Sequence, residues 1–273
     1  MTGTGGGDLA EAAWPDAGAA PLVLVPLGST EQHGPHLPLS TDTVIARAVA
    51  ERAADALRAE PARPVADGPV VDGPVVDGPV VDGPVVDGPV FVAPAIAYGA
   101  SGEHAGFPGT ISIGHEALHA VIVETVRSLA AWAGRVVLVN GHGGNVATLD
   151  TAVARLRREG HDAAWAGCGV PGGDAHAGVT ETSVMLYLAP GLVRPFGGVT
   201  GDTRPITEIM PELVARGVRA VSPSGVLGDP AGASGERGRE IVDAVVASVV
   251  RRIGAGRVDG RGLLLDPGGK ARA

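Results

Sequence analysis

Two carboxylates and two histidines stand close together in STEQHGPHLPLSTD, residues 29–42, directly after the apolar run PLVLVPLG. Side chains two positions apart in an extended backbone point to the same side, so Glu31 and His33 should project together from the end of a strand. The Gly-Pro pair that follows turns the chain. We therefore expect His36 to point elsewhere and to support the site or the fold. Asp42 stands where a helical pattern begins, as a further metal ligand or as an ordinary N-cap.

A second apolar run ends in a glycine-rich turn, RVVLVNGHGGN at 135–145, which carries His142. One alternative is a phosphate-binding loop, but this turn offers an imidazole and has no lysine or arginine after the strand. Functional groups in open parallel sheets gather beyond the carboxyl ends of the strands. We therefore expect Glu31, His33, Asp42 and His142 to converge at one edge of the sheet.

A third segment, DAHAGVTETS at 174–183, adds His176 and Glu181 ahead of a short apolar helix. Thr180 or Glu181 could instead simply cap that helix. Imidazole and carboxylate together form a mixed N/O donor set that suits Zn²⁺, Mn²⁺ or Fe²⁺ better than Ca²⁺. One carboxylate could bridge two such ions about 3.5–4 Å apart. Two ions held in this way bind and activate a water molecule for hydrolysis.

Two further residues, Glu103 and His104, lie in the glycine-rich stretch YGASGEHAGFPGTISIG at 98–114. They either line the same site or belong to a structural loop. A serine nucleophile has no support, because no G-x-S-x-G motif is present.

The elements that must position these residues alternate between strand and helix patterns. Short β-branched runs predict strands, and amphipathic stretches predict helices between them. This alternation is typical of an α/β fold with a mainly parallel sheet and helices on both faces. The predicted strands are 22–27, 90–95, 135–140 and 163–168, and the predicted helices are 43–57, 115–133, 146–158, 182–188 and 234–253. The proline-rich stretch 200–230 predicts neither.

We interpret residues 21–256 as one domain between a disordered tail, 1–20, and a flexible tail, 257–273. Within it, residues 67–90 repeat DGPVV with a period of five. Each copy carries a proline, which lacks the N–H that a stacked ladder needs. The repeat is therefore predicted to be an extended or disordered surface insertion without a catalytic role.

Composition restricts the partners and the compartment. The net charge is −9 with no Lys/Arg-rich run, which argues against a nucleic-acid groove or an anionic membrane surface as the partner. The single cysteine, Cys168, permits no intramolecular disulfide. The chain shows no secretory signal pattern and no apolar run of about 20 residues, so we expect a cytoplasmic protein.

Five segments together resemble the creatininase family of metal-dependent amidohydrolases. They follow one another in a single register over roughly residues 21–250, and they are LVPLGSTEQHGPHLPLSTDT, EHAGFPGTISIG, VLVNGHGGN, HAGVTETS and SGVLGDPAGAS. Within the family, PAIAYGASGEH and PGGDAHAGVTETS are most similar to the branch that trims a radical-modified ribosomal precursor peptide of the redox cofactor mycofactocin.

This resemblance implies a three-layer α/β/α fold, a homo-oligomer and two divalent metal ions, which would be Zn, Fe or Mn. By motif, Glu31 and His142 would bind one ion and His33 the other, with Asp42 as the bridge. Creatinine-hydrolysing members have a glutamate two residues after the histidine that matches His142, where this chain has glycine. Glu181 is then the best replacement for the fifth ligand.

The resemblance also implies catalytic residues and a reaction. His176 matches a family histidine that is placed for proton transfer, and either His176 or Glu181 would deliver a proton to the departing amine. The reaction would cleave a C–N amide bond near the C-terminus of the modified precursor peptide and release the core formed from its last Val-Tyr pair. Two alternatives are an amidohydrolase of a small cyclic amide or formamide, and a non-enzymatic module that binds a nucleotide or anion at the GHGGN turn.

Overall fold

A parallel four-stranded sheet forms the centre of the protein. The computed structural model describes residues 6–18, 20–59 and 88–267. The strand order is β2-β1-β3-β4, with Leu24 of β1 in register with Val92 on one side and Val137 on the other. The strands are β1 (Ala20–Leu27), β2 (Val90–Val92), β3 (Ala133–Asn140) and β4 (Ala163–Gly167).

Strand β2 is shorter than the predicted strand 90–95. Pro94 has no N–H to donate to the neighbouring strand, so regular pairing stops before it. Pairing resumes only at Ile96, which forms an isolated bridge with Leu27. The end of β1 is thereby held between β3 and the segment that leads to Glu103.

Helices cover both faces of the sheet. The longer ones are α2 (Thr41–Ala59), α3 (Gly114–Leu129), α4 (Val146–Arg158), α5 (Val179–Leu188), α6 (Ile206–Arg216) and α8 (Gly235–Ala255), and two single turns are α1 (Trp14–Ala17) and α7 (Val218–Val221). All five predicted helices are present, although α3 ends before the predicted 133 because Ala133 already pairs with Ala20. Within the described residues, no helix combines the length and the apolar character that a membrane crossing needs.

The two faces of the sheet form two separate cores, as the alternation of strand side chains requires. Leu22 and Leu24 of β1 pack with α2, α5 and α8, whereas Val23 and Val25 pack with α3 and α4. The predicted three-layer α/β/α architecture is confirmed. Helices α6 and α7 lie in the stretch for which no element was predicted, because Pro205 and Pro211 obscured the helical pattern of α6.

The described parts of the predicted tails are not free but pair with the edge strands. Leu9 N–H donates to Val92 O at 2.8 Å, and Leu264 N–H donates to Trp165 O at 2.9 Å. Edge strands leave backbone groups unpaired, and these flanking segments satisfy some of them. Residues that pair with the sheet therefore lie on both sides of 21–256. Residues 1–5, 19, 60–87 and 268–273, which include nearly all of the DGPVV repeat, lie outside the described residues.

Candidate metal centre

The predicted site residues meet at the carboxyl edge of the sheet. Glu31 and His33 follow β1, Asp42 lies in the first turn of α2, and His142 follows β3. His33 Nε2 lies 3.0 Å from Asp42 Oδ1, and His142 Nδ1 lies 3.2 Å from Asp42 Oδ2. His142 Nε2 lies 3.1 Å from Glu31 Oε2. All four side chains are buried, so their charges face one another with little water between them.

Close backbone approach makes this convergence possible. A Cβ atom at Gly141 would lie 2.4 Å from the carbonyl oxygen of Asp42, so a larger residue there would push α2 away from β3. Asp42 also accepts a hydrogen bond from Ser29 Oγ at 2.6 Å, which fixes its carboxylate between the two histidines.

The donor atoms form two ligand groups that share one carboxylate. The first is Glu31, Asp42 and His142, and the second is His33, Asp42 and Glu181; within each group the donor atoms lie within 4.8 Å of one another. Asp42 belongs to both groups, which is the arrangement that the family resemblance implies. A third possible group combines Glu31 and His33 with His176.

The state of Glu31 indicates that the cluster fits metal cations. Neither of its carboxylate oxygens is exposed, and neither receives a hydrogen bond from a described residue. Burial, with the nearby charge of Asp42, raises the pKa of Glu31 to about 7. Burial likewise raises the pKa of Glu181 to about 7. A buried carboxylate without a hydrogen bond, such as that of Glu31, is costly unless a cation compensates it, and the N/O donor set suits a divalent transition metal.

The two central histidines carry protons in the metal-free protein. Burial opposes their charge, but Asp42 and the other carboxylates outweigh it and raise the pKa of His33 to about 10 and that of His142 to about 9. An imidazole must lose its proton before it binds an ion on that nitrogen. Metal ions and protons therefore compete for these residues.

We expect the apparent metal affinity to rise with pH, because each bound ion displaces protons from His33 and His142. With at least one proton released, affinity should increase about tenfold or more per pH unit between about pH 6 and about pH 8. Isothermal calorimetry with Zn²⁺ or Mn²⁺ in two buffers of different ionisation enthalpy measures the proton release directly. Binding that neither releases protons nor depends on pH would contradict the assignment of these histidines as ligands.

His176 lies beside the two ligand groups with one ring nitrogen directed towards them. Its Nε2 lies 2.8 Å from the carbonyl oxygen of Gln32 and its Nδ1 lies 3.9 Å from Glu31 Oε1. We assign the proton to Nε2, because a carbonyl oxygen can only accept it. Burial and the charge of His33 hold the pKa of His176 well below its usual range. The imidazole is therefore neutral and presents a bare Nδ1 to the cluster.

The backbone between His176 and α5 adopts a rare conformation. Ala177 has a φ of +53°, in the left-handed region that residues other than glycine seldom occupy. Its N–H donates to Glu181 Oε2 at 2.6 Å, so this one turn orients both the imidazole and the carboxylate.

Gln32 is a site residue that the sequence did not indicate. His104 is one whose place, in the site or in a structural loop, the sequence left open. The Gln32 amide donates to the carbonyl oxygen of Gly225 at 3.0 Å and contacts His104 Nδ1 at 2.8 Å. This directs His104 Nε2 towards Glu31 Oε1, 3.3 Å away. Nothing in the sequence showed that His104 and His176 contact both Gln32 and Glu31.

His36 lies away from both ligand groups, as the Gly-Pro turn predicted. Its Nε2 contacts Thr182 Oγ1 on α5 at 2.8 Å, and its ring packs 5.8 Å from that of Phe196. Gly34 makes the turn with a φ of +64°. His36 therefore ties the loop after β1 to α5.

Asn145, which ends the GHGGN turn, joins three segments beneath the site. Its amide donates to the carbonyl oxygen of Gly28 at 3.0 Å, and its side-chain oxygen accepts from Ala100 N–H at 3.0 Å. The side chain is fully buried. It fixes the loops after β1, β2 and β3 relative to one another.

Replacement of Asn145 by alanine is expected to lower the free energy of unfolding by about 2–4 kcal/mol, because two buried backbone groups lose their partners. Chemical denaturation with circular dichroism measures the loss. Asn145→Asp should be at least as destabilising as alanine, since it puts a buried carboxylate oxygen in place of the donor to the carbonyl oxygen of Gly28. A loss below about 1 kcal/mol for Asn145→Ala would contradict this role.

Comparison with known proteins finds relatives that match most of the chain. It is 50% identical over 234 residues to the "Mycofactocin precursor peptide peptidase" of Mycobacterium tuberculosis, covering 86% of this chain and 85% of that protein. The protein of the same name from Mycolicibacterium smegmatis is 49% identical over 244 residues, with 89% of each chain covered.

Solved structures agree with the fold. A crystal structure of creatinine amidohydrolase (creatininase) superposes with a TM-score of 0.65 at 26% identity and covers 90% of this chain and 96% of its own. Other creatininase structures with this fold are described as a Zn-Zn type and as a Mn form. The family model for creatininase, described as creatinine amidohydrolase, matches residues 10–253. The family model spans most of the chain, and two relatives are about half identical to this chain. The chain therefore belongs to the creatininase family of amidohydrolases.

Proposed function

We propose that this chain is a metal-dependent peptidase that cleaves a C–N amide bond near the C-terminus of a modified ribosomal precursor peptide. The observation that carries the proposal is the pair of ligand groups that share the buried Asp42. They lie at the floor of a cavity of about 800 Å³, which is large enough for several residues of a peptide. The peptide substrate is supported by the half-identical relatives named for the mycofactocin precursor peptide.

Five side chains would hold two divalent ions. Glu31 and His142 would bind one ion, His33 and Glu181 the other, and Asp42 would bind both. Two ions held in this way supply a water activated for attack at neutral pH and polarise the carbonyl of the scissile amide. The native metal is proposed to be Zn, Mn or Fe, and the first two are supported by the solved creatininases.

His176 would carry the proton in the reaction. His176 lines the cavity and its bare Nδ1 faces the cluster, so it can accept a proton from the attacking water and then give it to the amine nitrogen as the C–N bond breaks. The hydrogen bond from Nε2 to the carbonyl oxygen of Gln32 holds the ring in this orientation throughout. Glu181 accepts from the N–H of Ala177, which holds its carboxylate between His33 and the cavity.

Turnover of several amides side by side tests the substrate. The modified precursor peptide should be hydrolysed with release of the core formed from its last Val-Tyr pair, as followed by mass spectrometry. The unmodified peptide, creatinine and a formamide should be turned over at least about 100-fold more slowly, which corresponds to about 2.7 kcal/mol of transition-state discrimination. Faster turnover of creatinine or a formamide would establish the small-amide alternative instead.

Assembly and location complete the proposal. We propose a homo-oligomer in the cytoplasm, on the basis of family membership and of a chain with a single, buried cysteine. Light scattering of the purified protein tests the assembly, and a single-subunit mass would contradict it.

A further inference from the structure

The buried side chain of Gln32 lies between two histidines that line the cavity, His104 and His176. Its Nε2 lies 2.8 Å from His104 Nδ1 and 3.0 Å from His176 Nε2. Both imidazoles approach the same ligand atom, since His104 Nε2 lies 3.3 Å and His176 Nδ1 lies 3.9 Å from Glu31 Oε1. Either ring could serve as a proton acceptor there, and the position of its own proton decides whether it can.

The amide of Gln32 is held in one orientation by backbone groups. Gly34 N–H donates to Gln32 Oε1 at 2.9 Å, and Gln32 Nε2 donates to the carbonyl oxygen of Gly225 at 3.0 Å. An N–H can only donate and a carbonyl oxygen can only accept, so the two ends of the amide cannot be exchanged. A Cβ atom at Gly225, where φ is +83°, would lie 1.8 Å from Gln32 Oε1. A glycine at this position therefore makes room for the amide.

These contacts place the protons of both histidines. The amide nitrogen has two hydrogens, and one of them goes to the carbonyl oxygen of Gly225. The second cannot go to His176 Nε2, because that nitrogen carries a proton for the carbonyl oxygen of Gln32. It therefore goes to His104 Nδ1, which must be bare in order to accept it. The proton of His104 is then on Nε2, the nitrogen that faces Glu31 Oε1.

From this arrangement we infer that Gln32 is a positioning residue that gives the two histidines opposite roles. Its side-chain amide keeps His104 with an N–H towards the ligand Glu31, and its backbone carbonyl keeps His176 with a bare Nδ1. Of these two imidazoles, only His176 can then accept a proton beside Glu31. A donor that faces a ligating carboxylate helps to orient it for the metal ion. This inference rests on the proposed function, since it states which imidazole takes the proton in that reaction.

Solid-state NMR of the Zn²⁺-loaded protein with ¹⁵N-labelled histidine tests the inference, because protonated and bare ring nitrogens have different shifts. His104→Ala and His176→Ala assign the two sets of signals. In the parent, both rings should carry their proton on Nε2. In Gln32→Glu the side chain accepts instead of donating, so His104 Nδ1 should gain a proton. His176 is the internal control, since its partner is a backbone carbonyl and its tautomer should not change. At unchanged zinc content, kcat/KM of Gln32→Glu should fall about 10- to 100-fold.

Three results would overturn the inference. They are a proton on His104 Nδ1 in the parent, a bare His104 Nδ1 in Gln32→Glu, and a change of both histidines together, which would indicate a general structural role for Gln32. The parent spectrum is a test even if the variant does not fold. The spectra need no turnover, so they separate the two proposals. The expected tautomers in a protein that cleaves no peptide would contradict the proposed function alone, whereas peptide cleavage with other tautomers would contradict only the role of Gln32.

Discussion

Replacement of Asp42 by asparagine is expected to remove both metal ions and to lower kcat/KM by about 1,000-fold or more, which is about 4 kcal/mol of transition-state stabilisation. One ligand group contains His142 and the other contains Glu181. Among the described residues, only Asp42 belongs to both. Asparagine has nearly the same shape but offers one neutral oxygen instead of two anionic ones. Each group therefore loses its shared ligand, while the packing around α2 stays intact.

Metal analysis and steady-state kinetics on the same preparation check this result. Asp55→Asn is the matched control, because it makes the same change on the same helix at an exposed position. The control should keep full metal content and activity. An Asp42→Asn protein that retained two ions per chain and most of its activity would show that the bridging assignment is wrong.

Replacement of His176 by alanine is expected to lower kcat by about 100- to 10,000-fold while the metal content stays unchanged. The two ligand groups that share Asp42 do not need His176, whereas its bare Nδ1 is the proton acceptor that we propose for the reaction. Loss of the imidazole should therefore act on the chemical step rather than on metal binding. KM should change much less than kcat.

A structural role for His176 would give a different pattern. In that case the variant would lose metal or stability in proportion to its activity, because His33 and His104 pack against this ring at 4.3 and 4.5 Å between centroids. Thermal unfolding and metal analysis of His176→Ala separate the two cases. His119→Ala on α3, outside the cavity, should behave like the parent.

The amino-acid sequence alone predicts the layered fold and the approach of Glu31, His33, Asp42 and His142 to one edge of the sheet. Apolar runs of strand length alternated with amphipathic stretches, and that local pattern survives folding because it reflects which faces must be buried. The donors that follow β1 and β3 were predictable from the same pattern. Each lies just beyond a strand, and parallel strands bring their carboxyl ends to one edge.

Contacts between segments that lie far apart in the sequence could not be predicted from it. His104 and His176 lie more than 70 residues from Gln32 along the chain, so no local pattern could reveal that Gln32 contacts them. The same holds for the flanking residues 7–9 and 262–264, whose composition resembles that of tails although the sheet edges order them. Prolines obscured α6 because a residue without an N–H weakens every local helix signal.

The stretch STEQHGPHLPLSTD shows both what spacing along the chain predicts and what it does not. Its spacing indicated that Glu31 and His33 share a side and that His36 turns away. Only the folded chain places Asp42 between His33 and His142, and brings Glu103 into the space that Gly144 leaves. Spacing along a strand sets the direction of a side chain, whereas the distance between two charges from separate segments is set by how the segments between them pack.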